Sequence, residues 1–177
     1  AHYLEIAAEM GVNIRRAAEC GCGTGAVTLR LAARGINMTG LDVSEDMLRI
    51  AGENARKRGL QVPFICQDMR ALELPRRVDA VFSACDGVNY LTGEGDAAAF
   101  FRAAYAALKP GGGIFFDISS AYKIETVLGN NLLGGDGREA AYLWQNSYNE
   151  KTRVVQMDLS VFIRQPDERY IRCDETH

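Results

Sequence analysis

Along the first two thirds of the chain, apolar residues come in short unbroken runs separated by stretches where they recur every three or four positions. The runs at 16–20, 36–42, 62–67, 78–84 and 114–118 predict five strands. Strands apolar along their whole length, with helices between them, indicate a parallel sheet covered on both faces. The helical stretches have readable ends. In 26–34, Val27, Leu29 and Leu31 share the apolar positions and Gly35 stops the helix. Ser44 predicts an N-cap, with Glu45 and Asp46 at the positive end of the dipole and Arg56, Lys57 and Arg58 at the negative end before Gly59. Residues 96–108 place Phe100, Ala104, Ala107 and Leu108 on one side, and "KPGGG" is expected to turn the chain after them.

Past residue 118 the period changes. A short helix at 121–128 leads into a polar, glycine-rich loop, "GNNLLGGDG". In 153–164, Val155, Met157, Leu159, Val161 and Ile163 alternate with Gln156, Asp158 and Ser160, the period-two pattern of a strand with one wet face. Segments 142–148 and 170–173 flank it across turns, which predicts an antiparallel meander. The organisation expected is an α/β Rossmann-like core over 1–120, with a helix and meander over 121–177 in the same domain. Tyr142, Trp144 and Tyr148 would make the meander a lid or an oligomer contact.

At 177 residues, 47% hydrophobic and 24% charged, the composition is that of a globular domain with one core. A net charge of −3 argues against nucleic acid as a partner, because phosphate binding needs surplus Lys and Arg. No apolar run approaches the ~20 residues of a membrane span, and the N-terminus has no signal-peptide pattern. Five cysteines without a C-x-x-C pair fit free thiols in a reducing cytoplasm, with no metal site expected. The two histidines lie at the chain ends, poorly placed for catalysis.

"AECGCGTGAV" is the most informative stretch. Gly21, Gly23 and Gly25 sit between the first strand and its helix, where backbone must take positive φ or touch a ligand closely. In open α/β sheets, ligands bind beyond the carboxyl ends of the strands. The glycine spacing alone also fits a dinucleotide fingerprint, and Asp42 at the end of the second strand could accept ribose hydroxyls of either cofactor.

The set decides what the glycines leave open. Glu19-x-Gly21-x-Gly23-x-Gly25, Asp42, "DVSEDML", "QDM" and "LKPGGG" follow in this order. Over residues 15–120 they resemble the class I S-adenosylmethionine-dependent methyltransferases, in particular small-molecule-type members with a "CGTG" turn. The resemblance implies a doubly wound, mainly parallel sheet of seven strands with S-adenosylmethionine as cofactor. It implies that Gly21, Cys22, Gly23 and Gly25 lie along the methionine part and ribose, and that Glu19 holds the turn and the cofactor's amino group. Asp42 would bind both ribose hydroxyls, with Val43 and Met47 forming a wall against adenine. Asp68 would accept from the adenine amine with Met69 beside it, and Cys85 would lie under the methionine moiety. From "ACDGVNYL", Asp86, Asn89 and Tyr90 are the candidate catalytic residues on the acceptor side, although a turn cap and a packing role account for Asp86 and Tyr90 equally well. Asp117 is a further candidate contact.

The implied reaction is methyl transfer to a small molecule, in a cytoplasmic protein with a homodimer as candidate assembly. The chain reaches residue 177 directly after the meander, so the last two strands of the family sheet are expected to be missing and the strand at 114–118 to lie at an open edge. Two rival readings remain. One is an NAD(P)-dependent oxidoreductase, for which no Tyr-x-x-x-Lys pair or placed His is found. The other is a non-catalytic domain that binds the cofactor and acts as an interaction partner.

Overall fold

The computed structural model describes residues 2–177, which divide into two compact units, the first ending at Ile118 and the second spanning Ser119–His177. In the first unit, β1 (Arg16–Cys20), β2 (Asn37–Asp42), β3 (Phe64–Cys66), β4 (Val78–Ser83) and β5 (Leu108–Phe116) form a parallel sheet in the order β3-β2-β1-β4-β5. The order reverses between β1 and β4, so the loops leaving these two neighbouring strands open side by side, the usual position of a ligand crevice.

Adjacent residues of a strand face opposite sides, so each side of the sheet collects its own core. Ala18, Leu41 and Val81 pack with Phe100, Ala104 and Ala107 of α4 (Asp96–Ala107). Ala17, Met38, Ala80, Phe82 and Phe115 pack with Leu31 of α2 (Ala26–Ala32) and Ala7 of α1 (His2–Glu9). The sequence pattern had left 2–9 without an element; its buried face is a single alanine supported by part-buried Tyr3, Leu4 and Ile6, too sparse a signal to read. Helix α3 (Glu45–Lys57) has the expected ends, with Ser44 Oγ accepting from the Met47 N–H at 3.3 Å.

One boundary differs from expectation. "KPGGG" belongs to β5, which begins at Leu108 and pairs Ala80 with Gly113 after an irregularity opposite Val78. Leu108 pairs with Val78 and Gly113 with Ala80, so residues 109–112, with Gly111 at φ of 78°, lie outside the register between them. The parallel sheet has five strands with β5 at its edge beside β4, in line with the expectation that the family's last two strands are missing.

The second unit is a four-stranded antiparallel sheet of β6 (Leu132–Asp136), β7 (Ala140–Asn149), β8 (Val154–Arg164) and β9 (Tyr170–Thr176). The loop read in "GNNLLGGDG" therefore contains a strand in its middle, with Leu133 opposite Trp144 and Gly135 opposite Tyr142. The helix before it, Lys123–Leu128, is wound as a π-helix. The register puts Tyr142, Trp144 and Tyr148 on one face with Val161, Leu159 and Val155, as the alternation implies. Asp158 and Ser160, expected on the wet face, are only half exposed, since Asp158 accepts from Thr176 and Ser160 donates to Asp174 of β9.

Candidate functional site

Beyond Cys20 the chain turns through Gly21, Gly23 and Gly25 at φ of 69°, 51° and 79°, a region L side chains rarely adopt. The Cys22 N–H donates to the Leu41 carbonyl at 2.9 Å, and Asn54 Nδ2 of α3 donates to the Thr24 carbonyl at 3.1 Å. These bonds fasten the turn to β2 and α3. A Cβ on Gly21 would meet Met69 Cε at 3.4 Å, whereas one on Gly23 would meet nothing within 4 Å.

Asp42 closes the other side of the turn. Its Oδ2 accepts the Gly23 N–H at 2.8 Å and its Oδ1 accepts the Ser44 N–H at 3.0 Å. A carboxylate offers about four lone-pair sites, so each oxygen is oriented by one backbone bond and keeps capacity for a ligand donor.

A cleft of about 210 Å³ lies over these groups, lined by Gly21, Asp42, Val43, Asp68, Met69 and Tyr90 together with Gln67, Arg70, Leu91 and Asp96. Whole small-molecule sites run from ~300 Å³ upward, so this volume suits one end of a larger ligand. Val43 is exposed and Met47, at 40% exposure, is no core residue.

Four lining residues were not anticipated. Arg70 is the most consequential, because its Nε and Nη2 bond Asp68 while its Nη1 bonds Asp96 at 3.0 Å. The Arg70 hydrogen bonds hold the Asp68 carboxyl below the usual carboxylate range. Asp68 also caps the short turn Met69–Ala71 through the Arg70 N–H. The cation two places after Asp68 was a visible signal; the reach to Asp96 was not.

The remaining expected residues do not line the cleft. Glu19 is buried under the turn, where Thr28 Oγ1 donates to it, and burial pushes its carboxyl up to about 7 against the effect of that bond. The Cys22 thiol is buried and pushed far up by desolvation. Gly25 caps α2. Cys85 and Asp86 form the turn after β4 in left-handed conformation, at φ of 58° and 62°. Asn89 lies in the short 3-10 helix Gly87–Tyr90 and its N–H donates to the Asp86 carbonyl at 2.9 Å. Of the three acceptor-side candidates, Tyr90 lines the cleft; burial and then the Asp86 charge raise its phenol. Ser83, unanticipated, has a buried Oγ without a hydrogen-bond partner among the described residues, and a Cβ on Gly87 would come within 2.7 Å of it. Among the described residues no group of three or more His, Cys, Asp or Glu could hold a metal, and no helix is long and apolar enough to cross a membrane.

Comparison with known proteins adds a second line of observation. A family profile described as a methyltransferase domain matches residues 17–112. YqeM of Bacillus subtilis, a protein named as a methyltransferase, is 34% identical over 163 residues, covering 92% of this chain and 65% of its own length. The chain thus spans just under two thirds of that curated relative. The ubiquinone biosynthesis O-methyltransferase of Idiomarina loihiensis is 32% identical over 106 residues, 60% of this chain and 43% of that protein. A crystal structure of an S-adenosylmethionine-dependent methyltransferase from Clostridium acetobutylicum superposes with a TM-score of 0.91 at 34% identity, covering 99% of this chain and 70% of that one.

Proposed function

Because this chain belongs to the class I S-adenosylmethionine-dependent methyltransferases, we propose that it binds S-adenosylmethionine in the cleft at the ends of β1, β2 and β3 and transfers the methyl group to a small-molecule acceptor. The observation that carries the reading is the pairing of the three positive-φ glycines with Asp42, whose oxygens are each aimed by one backbone N–H and each retain a lone pair. A ribose diol needs two such acceptors. The name of the Idiomarina relative supports a small-molecule acceptor.

The other residues take roles that follow from their places. Val43, with Met47 close by in sequence, supplies apolar surface for adenine, and Asp68 accepts from the exocyclic amine beside Met69. Gly21, Cys22 and Gly23 present backbone to the ribose and methionine part, and Gly25 starts the helix that backs it. Glu19, below the turn, meets the cofactor's amino group, and Cys85 flanks its methionine end. Asp86, Asn89 and Tyr90 face the acceptor.

The cofactor, when bound, supplies a methyl group already activated on a sulfonium. The chain's own task is to place the acceptor in line with it and exclude water, and positioning of this kind is worth effective molarities of about 10⁵–10⁸ M. The preset Asp42 and the fastened glycine turn are the parts that do so at the cofactor end.

Calorimetric titration with S-adenosylhomocysteine and with NAD tests the assignment. Binding of the first and not the second is expected. Asp42→Ala should weaken S-adenosylhomocysteine by roughly 1.5–3 kcal/mol, the range for a hydrogen bond to a charged group. Equal affinity of variant and parent would remove Asp42 from the site, and a preference for NAD would overturn the cofactor.

A further inference from the structure

The turn after β4 is held by a device that the proposed chemistry leaves unexplained. Cys85 and Asp86 are consecutive non-glycine residues with positive φ, a conformation that crowds Cβ against the backbone. Both of their N–H groups converge on one carboxylate. The Cys85 N–H donates to Asp117 Oδ1 and the Asp86 N–H to Asp117 Oδ2, each at 2.9 Å. Asp117 follows β5 directly, and the pairing of Ser83 with Phe116 brings it alongside the end of β4.

A third donor fixes the carboxylate itself. The Tyr3 hydroxyl of α1 donates to Asp117 Oδ1. The Tyr3 ring meets Phe82 of β4 edge-on at 5.7 Å, and Phe82 stacks on Phe115 of β5 at 5.4 Å. Burial and the Asp117 carboxylate both raise the Tyr3 phenol, so it stays a donor. Partial burial would raise Asp117, yet the bonds from Tyr3 and the two backbone N–H groups hold it below the usual carboxylate range, charged and accepting.

We propose that Asp117, braced by Tyr3, is a positioning residue that keeps the Cys85–Asp86 turn in its left-handed form, so that cofactor and acceptor meet a preset loop. This rests on the reading in which Cys85 flanks the methionine end of the cofactor. An ordinary turn cap would leave the turn's shape to local preference. Here the local preference is against both residues, less strongly for Asp86, and the two bonds to the carboxylate offset it. The same logic says which substitution should compensate: glycine takes positive φ without cost, so Asp86→Gly should make the turn less dependent on Asp117.

The test compares the parent, Asp117→Ala, Asp86→Gly, the double variant Asp117→Ala/Asp86→Gly, and Tyr3→Phe, which removes a single hydroxyl and keeps the ring. Amide hydrogen exchange at 85 and 86 is measured in the free proteins, and S-adenosylhomocysteine affinity by calorimetry. Asp117→Ala should speed exchange at both amides and weaken binding about tenfold, the factor given by about 1.4 kcal/mol. Tyr3→Phe should move both readouts in the same direction by less. The loss caused by Asp117→Ala should shrink to less than about twofold when it is made in the Asp86→Gly background, double variant against Asp86→Gly. A double variant about tenfold weaker than Asp86→Gly, or an Asp117→Ala protein with unaltered exchange, would overturn the proposal. If Asp117→Ala does not fold, unchanged exchange in Tyr3→Phe overturns it and faster exchange supports it. A parent that ignores S-adenosylhomocysteine would instead sink the cofactor reading, and the exchange measurements would still judge the hold on the turn.

Discussion

Glu19 shows at the residue scale what a single acidic side chain costs and offers. It is 2% exposed, and its carboxyl is raised from 4.5 to about 7, chiefly by burial. A raised folded-state pKa means the native protein favours the neutral acid. Stability from this group is therefore full below about 4.5 and is lost as pH rises through about 7. The shift corresponds to a cost on the order of 3 kcal/mol above that window. Glu19→Gln, which can still accept from Thr28, should escape it. Urea unfolding of parent and variant at pH 4.5 and pH 8 should show the variant gaining relative stability at the higher pH; parallel profiles would refute the account. An ammonium group on a ligand would relieve the same cost, which fits the role proposed for this acid. The acid was legible in "AECGCGTG". The hydroxyl of Thr28, nine residues on, was not, because it depends on how α2 lies against β1.

At the scale of elements, the well-read ones carry their own end signals. Helix α3 has Ser44 at one end, Arg56 and Lys57 at the other, and Ala51 and Ala55 buried between. Helix α4 was equally readable through Phe100, which is fully buried against the sheet with Ala104. Phe100→Ala should therefore destabilise the protein by about 3–5 kcal/mol, the range for a deleted core aromatic. A loss under ~1 kcal/mol in thermal or urea unfolding would mean that α4 is not anchored there. The misread elements share a different trait. The "KPGGG" part of β5 and the "LLGGD" of β6 have turn-like composition and are drawn into sheets by a neighbour, the first through Leu108 and Gly113 on β4, the second along its length on β7. Pairing is decided by the neighbour, and composition is blind to it.

For the whole molecule, the cleft draws residues from β2, from the loops after β1, β2, β3 and β4, and from the N-terminus of α4, so a ligand there ties separate stretches of the first unit together. Saturation at a hundred times Kd adds about 2.7 kcal/mol. For a chain of this size that is roughly 5–10 °C in Tm. S-adenosylhomocysteine should raise the melting temperature by that amount, NAD should not, and equal curves with and without S-adenosylhomocysteine would contradict the proposed site. Local order set much in advance: the glycine turn, Asp42 at a strand end, the capped α3 and the period-two alternation of β8 are all properties of a few neighbouring residues, and short-range sterics and capping suffice to read them. Long-range placement set the rest. Arg70 bridging Asp68 and Asp96, Tyr3 reaching Asp117 from 114 residues away, and the left-handed turn that this carboxylate holds all arise from the crossing of chain segments. Contacts between residues distant in sequence exist only once the sheet has brought its strand ends together, and no local pattern encodes which ends will meet.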